Sequence, residues 1–398
     1  MRSITAYTEE IDDFDLAAEE LFSQTEGFQF QKNSMAIVYA EEETDYPELY
    51  KRLKEKWDFL IIGCTTLGIF LSRGEINKIG ISVIIITADD CQFSAGVATD
   101  LKAENYKEGI KEVFCEVKDA LPEEPKLIIS YGGRTVSKGM VGGSALVRYL
   151  DELGGGIPVY GGDASDNYVF EAFKVYYNDK AYHHGQLIAM ISGNIDPVFI
   201  CATSVGDQAH NAFEITRAEE NRVYTIGDMN FKDAMEKAGF DMSTEEIKRN
   251  YAMVPFVFVE KKANGDTISV ARTLSNIAPK SNAGVFLADI PNGATLSVGT
   301  FTRDNVSKSL ETAFGYIKEE EKRRNKQFGT IILTSCAGRS LALAKETQIE
   351  GETYLDFIRE GTGIAGMYAY GEYCPTKGEK TGNIYNMYHN FTFTIMAM

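Results

Sequence analysis

Short apolar runs and amphipathic stretches alternate along the chain, and three times they follow the same order. The first series opens on the strand "SMAIVYA" (34–40) and runs into "DYPELYKRLKEKW" (45–57), where Leu49, Tyr50, Leu53 and Trp57 share one helical face. Asp45 stands at the N-cap position, with Pro47 in the first turn. The strand "DFLIIG" (58–63), the turn "GCTTLG" (63–68) and the strand "GISVIIITADD" (80–90) complete it. The second series begins with "PKLIISYGGRT" (125–135). Its helix "SALVRYLDEL" (144–153) stops at Gly154, Gly155 and Gly156. The strand "IPVYGG", the turn "GGDASDN" (161–167) and the strands "EAFKVYYND" and "GQLIAMISG" follow. The third series starts at "GTIILTSCAGRS" (329–340) and passes through a helical stretch ending in "TYLDFIREG". It closes on "GIAGMYAYGEY" and "YHNFTFTIMAM".

A segment of different character separates the second and third series. "RVYTIGDMNFKDAMEKAGF" (222–240) reads as strand, turn and helix. The strands "VPFVFVEKK" and "GDTISVARTL" flank Asn264-Gly265, a hairpin signal. "GATLSVGTFT" is a further strand, and "VSKSLETAFGYIKEEEKRRN" (306–325) an amphipathic helix with a charged end. The pattern predicts an α/β to α+β protein of two layered domains with mixed sheets, built on repeated strand-helix-strand units. The expected halves are residues 1–218 and 219–398.

Composition narrows the partners. The 398 residues carry a formal net charge of −18, which argues against nucleic acid or an anionic membrane surface. The N-terminal sequence has no apolar core flanked by basic residues, and the longest apolar run falls short of a membrane span, so a cytoplasmic protein is expected. The six cysteines are scattered without a CxxC, as in a reducing compartment. The four histidines show no metal-ligand spacing with them.

Candidate chemistry gathers at the strand ends. "ISYGGRTV" (129–136) and "LTSCAGRS" (333–340) both run from a strand into Gly-Arg-hydroxyl, and read as the same turn in two units. Arg134 and Arg339 each present a planar fork suited to a carboxylate or phosphate, or pin a neighbouring loop by an internal ion pair. Asp163, Ser165 and Asp166 in "GGDASDN" offer partners for an ammonium or hydroxyl, or simply make a turn. Thr65 and Thr66 can close a pocket with their hydroxyls. "GCTTLG" has neither the Rossmann nor the P-loop spacing. Arg272 ends an alternating strand, and "YGEY" sets Glu372 between Tyr370 and Tyr373. Glu372 is equally suited to pairing with one of the arginines. Cys64 or Cys336 could serve a hydrolase as nucleophile, but Cys64 has no His or Asp near it in sequence and no nucleophile–base–orienter set stands out. His183 and His184 would point to opposite faces of a strand, leaving one at most to face a pocket as a haem ligand.

Taken in order, "IIGCTTLG" (61–68), "VYGGDASDN" (159–167), "NRVYTIGD" (221–228), "ISVAR" (268–272), "IPNGATLSVG" (290–299), "SCAGR" (335–339), "MYAYGEY" (367–373) and "HNFTFT" (389–394) resemble the FIST family of bacterial sensory proteins over roughly residues 30–396. The resemblance implies signal transduction by a cytoplasmic sensor of a small ligand, an amino acid or related anionic metabolite. Signalling would pass in trans to a partner such as a histidine kinase, a chemoreceptor or a cyclic-dinucleotide enzyme. It also leaves open a haem-based nitric oxide sensor. The ligand is expected in a cleft lined by the glycine turns. Arg134 or Arg339 would hold its anionic group, and Asp163 or Asp166 its cationic or hydroxyl group.

Overall fold

Strand Ile81–Ala88 is buried at every position, because neighbouring strands flank it on both sides and core covers both of its faces. It belongs to the first of three sheets built to one plan. The computed structural model describes residues 1–133, 141–208, 212–291 and 293–398. Among these, each unit contributes a parallel pair of strands joined through a helical segment. The pairs are Asn33–Ala40 with Leu60–Thr65, Pro125–Gly133 with Val159–Asp163, and Thr330–Cys336 with Gly363–Ala369. An outer antiparallel strand flanks the first member of each pair: Ile81–Ala88, Gly185–Gly193 and Thr392–Ala397. Beyond it lies an antiparallel edge strand: Arg2–Thr8, Cys91–Ala98 and Val198–Thr203.

The sixfold strand count of each sheet is completed by exchange. The hairpin that follows the parallel pair of one unit joins the sheet of another. Ile69–Phe70 pairs with the third sheet, Val175–Tyr177 with the first, and Gly371–Lys377 with the second. The exchange is cyclic, so every sheet holds strands from two units. Side chains from all three sheets share one core cluster, which includes Ile37, Tyr39, Ile129, Tyr131, Ile332 and Met367. Helices cover the outer faces. Their ends follow the sequence signals. Asp45 Oδ1 accepts from the Glu48 amide, and Gly155 takes φ +58° just past Gly154. Among the described residues no helix is long and apolar enough to cross a membrane.

One glycine marks the equivalence of the three units. Gly63 faces Val38, Gly161 faces Ser130 and Gly366 faces Leu333 across the parallel pairs. A Cβ at these positions would lie 2.0, 2.0 and 2.3 Å from the opposed carbonyl oxygens. The repeated plan therefore needs glycine at this step of the second strand.

The third unit carries an insertion between its edge strand and its helix Arg303–Arg324. Strands Phe213–Glu219, Thr295–Val298, Pro255–Lys261, Thr267–Ile277, Gly284–Phe286 and Arg222–Ile226 pair in that order, and Phe213–Glu219 returns to Arg222–Ile226 to close a barrel. Phe231, Phe256, Phe258 and Phe286 fill it with edge-on and tilted ring contacts. The α/β to α+β class, the layered architecture and the repeated units with mixed sheets are all present. Strands from residues 1–218 and from residues 219–398 pair in common sheets. Residues 330–398 share sheets with strands of residues 1–218, and among the described residues the barrel strands form a sheet of their own. The reason is the exchange, whose pairing partners lie hundreds of residues apart in sequence.

Candidate functional site

Where the barrel meets the three-sheet body, a cleft of about 670 Å³ opens. Its wall comes from both sides. The body supplies the start of helix Gly143–Gly154, the loop after Asp163, and the turn Asn390–Phe391. The first turn of the short helix Ala337–Leu343 supplies Ala337 and Gly338 beside Cys336. The barrel supplies Glu220–Arg222, Thr273–Asn276 and Val285–Asp289.

Aromatic side chains dominate the body side, and three of them sit on unusual backbone. Tyr168, Phe170 and Phe391 have φ of +63°, +63° and +61°. A bulky non-glycine residue there is an outlier that the surroundings must enforce, and such strain gathers at ligand clamps. Asp166 does the enforcing for the first two. Its buried carboxylate accepts from the amides of Phe170, Glu171 and Ala172 at 2.9–3.0 Å, and from the Tyr370 hydroxyl. Burial opposes ionisation, but these donors hold the carboxyl below its ordinary value. Phe170 stacks on Tyr370 at 4.5 Å, and Phe173 meets Tyr370 edge-on.

Polar groups converge from several directions. Asp163 lines the cleft and accepts hydrogen bonds from the Tyr373 and Tyr388 hydroxyls. Asn390 also lines it and is 2% exposed. Its Nδ2 donates to the Tyr370 carbonyl at 3.5 Å, while its Oδ1 has no hydrogen-bond partner among the described residues. Helix Gly143–Gly154 begins on the wall at Gly142 without a side-chain cap. Ser144 Oγ instead accepts from the Asp289 amide at 2.9 Å, and Arg148 pairs with the Asp289 carboxylate at 2.8 Å, both across the junction with the barrel.

The residues singled out in the sequence divide sharply. Asp163 and Tyr370 line the cleft. Arg134 lies outside the described residues, as does His210. Arg339 does not line the cleft. It is fully buried and donates Nε to Glu350 at 2.7 Å and Nη1 to Ser309 at 2.9 Å and to Ser204. Glu350 also accepts from Ser335 and from the Tyr368 hydroxyl. The matching spelling of the two Gly-Arg stretches is also out of step. Ser130 is equivalent to Leu333, so Gly133 corresponds to Cys336 rather than to Gly338. Gly132 and Gly133 end a strand, whereas Gly338 and Arg339 open a helix.

Thr65, Thr66 and Ser165 spend their hydroxyls on one another's turns. Thr65 Oγ1 accepts from the Lys174 amide, Thr66 Oγ1 from the Tyr368 amide, and Ser165 Oγ donates to the Tyr368 carbonyl. All three are fully buried, so they knit the strand ends of the three units together. Arg272 is buried beneath the cleft and donates to the carbonyls of Asp289, Ala271 and Tyr388. Burial draws its guanidinium down to about 10, still charged at neutral pH. His183 and His184 occupy the turn between Lys180–Tyr182 and Gly185–Gly193, not a strand. Neither lines the cleft, and His389 is buried against the Cys374 carbonyl and Thr376. The described histidines therefore do not fit an axial ligand to haem in this cleft. Cys64 is sealed in the central core, where burial holds its thiol protonated. Cys336 lines the cleft, and burial raises its thiol too.

Glu372 accepts from the amide and hydroxyl of Thr392 at 3.2 and 2.7 Å, and burial pushes it up to about 8. It is thus protonated at neutral pH, so Cys336 has no carboxylate base beside it. Between pH of about 4.5 and 8 the unfolded chain releases this proton and the folded chain keeps it. Stability from this group is full below that window and falls across it by about 1.4 kcal/mol per pH unit at most. Glu372→Gln is expected to gain on the wild type steadily from about pH 5 to pH 8 in urea unfolding; a difference independent of pH would contradict the assignment.

Asn390, Phe391, Tyr168, Phe170 and the start of helix Gly143–Gly154 went unmarked as site residues. "HNFTFT" and "GGDASDN" carried part of the signal, but positive φ and an orphaned amide oxygen appear only in three dimensions. The FIST N domain model matches residues 34–229, and the FIST C domain model matches residues 232–375. A search of curated proteins returned no match.

Proposed function

Since the chain belongs to the FIST family, whose domains are small-ligand sensory domains of signal transduction, we propose that the cleft between barrel and body is its sensory site and that it takes an amino acid or related anionic metabolite. The observation that carries this reading is the buried, unpartnered Oδ1 of Asn390 on the cleft wall. A buried acceptor left unmade costs about 1–3 kcal/mol, and an N–H donor on a ligand would relieve it. The Asp163 carboxylate favours the same cationic end. The uncapped amides at the start of helix Gly143–Gly154 favour a carboxylate at the other. The volume exceeds what a small amino acid needs, and the rings of Phe170, Tyr370 and Phe391 suit a bulky side chain or a short peptide.

Binding would bridge barrel and body, so a ligand that favours one relative placement shifts the population towards it. The Arg148–Asp289 pair and the Ser144–Asp289 hydrogen bond lie on that junction. The shift is read, on this proposal, by a separate cytoplasmic output protein such as a histidine kinase, chemoreceptor or cyclic-dinucleotide enzyme.

A thermal-shift screen of amino acids, dipeptides and organic acids tests the reading. At a hundred times its Kd a ligand stabilises by about 2.7 kcal/mol. Asn390→Leu should keep or raise the unliganded Tm, because it removes an orphaned acceptor, and should abolish the response. A response that survives this substitution intact would place the ligand elsewhere.

A further inference from the structure

We propose that Cys201 and Cys374 form a peroxide-oxidisable dithiol site that closes to a disulfide across the seam between the third and second sheets. Cys201 lies in Val198–Thr203, the edge strand of the third sheet, and Cys374 in Gly371–Lys377, the strand exchanged into the second. Both pack on the shared central core. Cys374 Sγ donates to the carbonyl of Ile200, the residue before Cys201, at 3.6 Å, which sets the two cysteines next to each other across the seam. Both are free cysteines, with Cys201 partly exposed and Cys374 buried. That difference sets the roles: a small peroxide reaches Cys201 first, and Cys374 is the resolving thiol.

The surroundings supply the activation a thiolate needs. The neighbouring Cys374 first, with His389 and Thr392 after it, holds the Cys201 thiol well below its ordinary value, against burial. His389 Nε2 lies 3.1 Å from the Cys374 carbonyl oxygen. A carbonyl only accepts, so Nε2 carries a proton and the ring is anchored to the Cys374 backbone, near Cys201. Among the described residues no group of three or more His, Cys, Asp or Glu could hold a metal ion.

The oxidant is hydrogen peroxide. The Cys201 thiolate attacks one peroxide oxygen, the O–O bond breaks, and the departing hydroxide takes a proton to become water. Cys201 is left as a sulfenic acid. Cys374 sulfur then displaces its hydroxyl, forming the S–S bond, and the Cys374 proton leaves with that hydroxyl as a second water. Two thiols are oxidised and one peroxide is reduced. The bond would tie the strand before the barrel to the hairpin whose ends, Tyr370 and Asn390–Phe391, line the cleft. The chemistry stands apart from the ligand reading, and either can fail alone.

The test is peptide mapping of the full chain after hydrogen peroxide treatment, quenching and alkylation. The expected product is an intramolecular Cys201–Cys374 peptide pair that a thiol reductant reverses. In Cys374→Ser and Cys374→Ala, Cys201 should instead persist as a sulfenic acid that dimedone traps. Cys115 is exposed and serves as the internal comparison. The proposal is overturned if Cys115 is oxidised while Cys201 and Cys374 both stay alkylatable, or if Cys201 links to another cysteine. Should either variant fail to fold, the wild-type map alone decides.

Discussion

Arg339→Met is expected to cost the fold about 3–5 kcal/mol, the range for breaking a buried ion pair from one side. Both Arg339 and Glu350 are fully buried, and the guanidinium is the cation that compensates the Glu350 carboxylate. The hydroxyls of Ser335 and Tyr368 also donate to Glu350, but they bring no charge. Removing the arginine leaves a buried anion with dipoles alone. Removing both, as in Arg339→Met with Glu350→Leu, should recover much of the loss, because the cost lies in the uncompensated charge rather than in the missing bond. Urea unfolding of the two single variants and the double variant measures this directly. An Arg339→Met protein of unchanged stability that had lost its ligand response would return this arginine to the binding site.

Gly161→Ala should be severely damaging, at about 3 kcal/mol or more. The new Cβ would meet the Ser130 carbonyl oxygen at 2.0 Å, and φ at this position is +140°. Both atoms belong to paired backbone in a sheet with strands on either side, so neither can move without breaking the parallel ladder. Gly63→Ala and Gly366→Ala meet the same opposed carbonyl and should be damaging for the same reason. Gly155→Ala is the matched comparison: φ is +58° with nothing within 4 Å, so the cost is the left-handed backbone alone, about 1–2 kcal/mol. Equal losses at Gly155 and Gly161 would refute the steric account of the threefold plan.

Those three glycines also show how far the sequence could be read. The strand-helix-strand order was legible in the apolar periodicity because each unit folds its parallel pair locally. The exchange of hairpins was not, since nothing in "GIFLSRGEIN" announces that Ile69 will pair with Met367. Barrel closure was hidden in the same way, although Asn264-Gly265 correctly marked the turn between Pro255–Lys261 and Thr267–Ile277. At the site, composition drew attention to hydroxyls and arginines without showing which were already satisfied. Thr65, Thr66, Ser165 and Arg339 prove to be spent on the protein itself. Asp163 and Tyr370 reach the cleft, and the unspent Asn390 beside them was spelled by a residue type with no special claim to binding.

The claim that the ligand sits between barrel and body is tested most directly by filling that space from its rim. Ser275 is exposed on strand Thr267–Ile277 and lines the cleft, so Ser275→Trp adds bulk there without touching a core. Titration calorimetry should compare this variant with the wild type, using the amino acid or dipeptide that most raises the wild-type Tm. The account predicts wild-type binding and none by Ser275→Trp at an unchanged Tm. Equal binding by both proteins would contradict it.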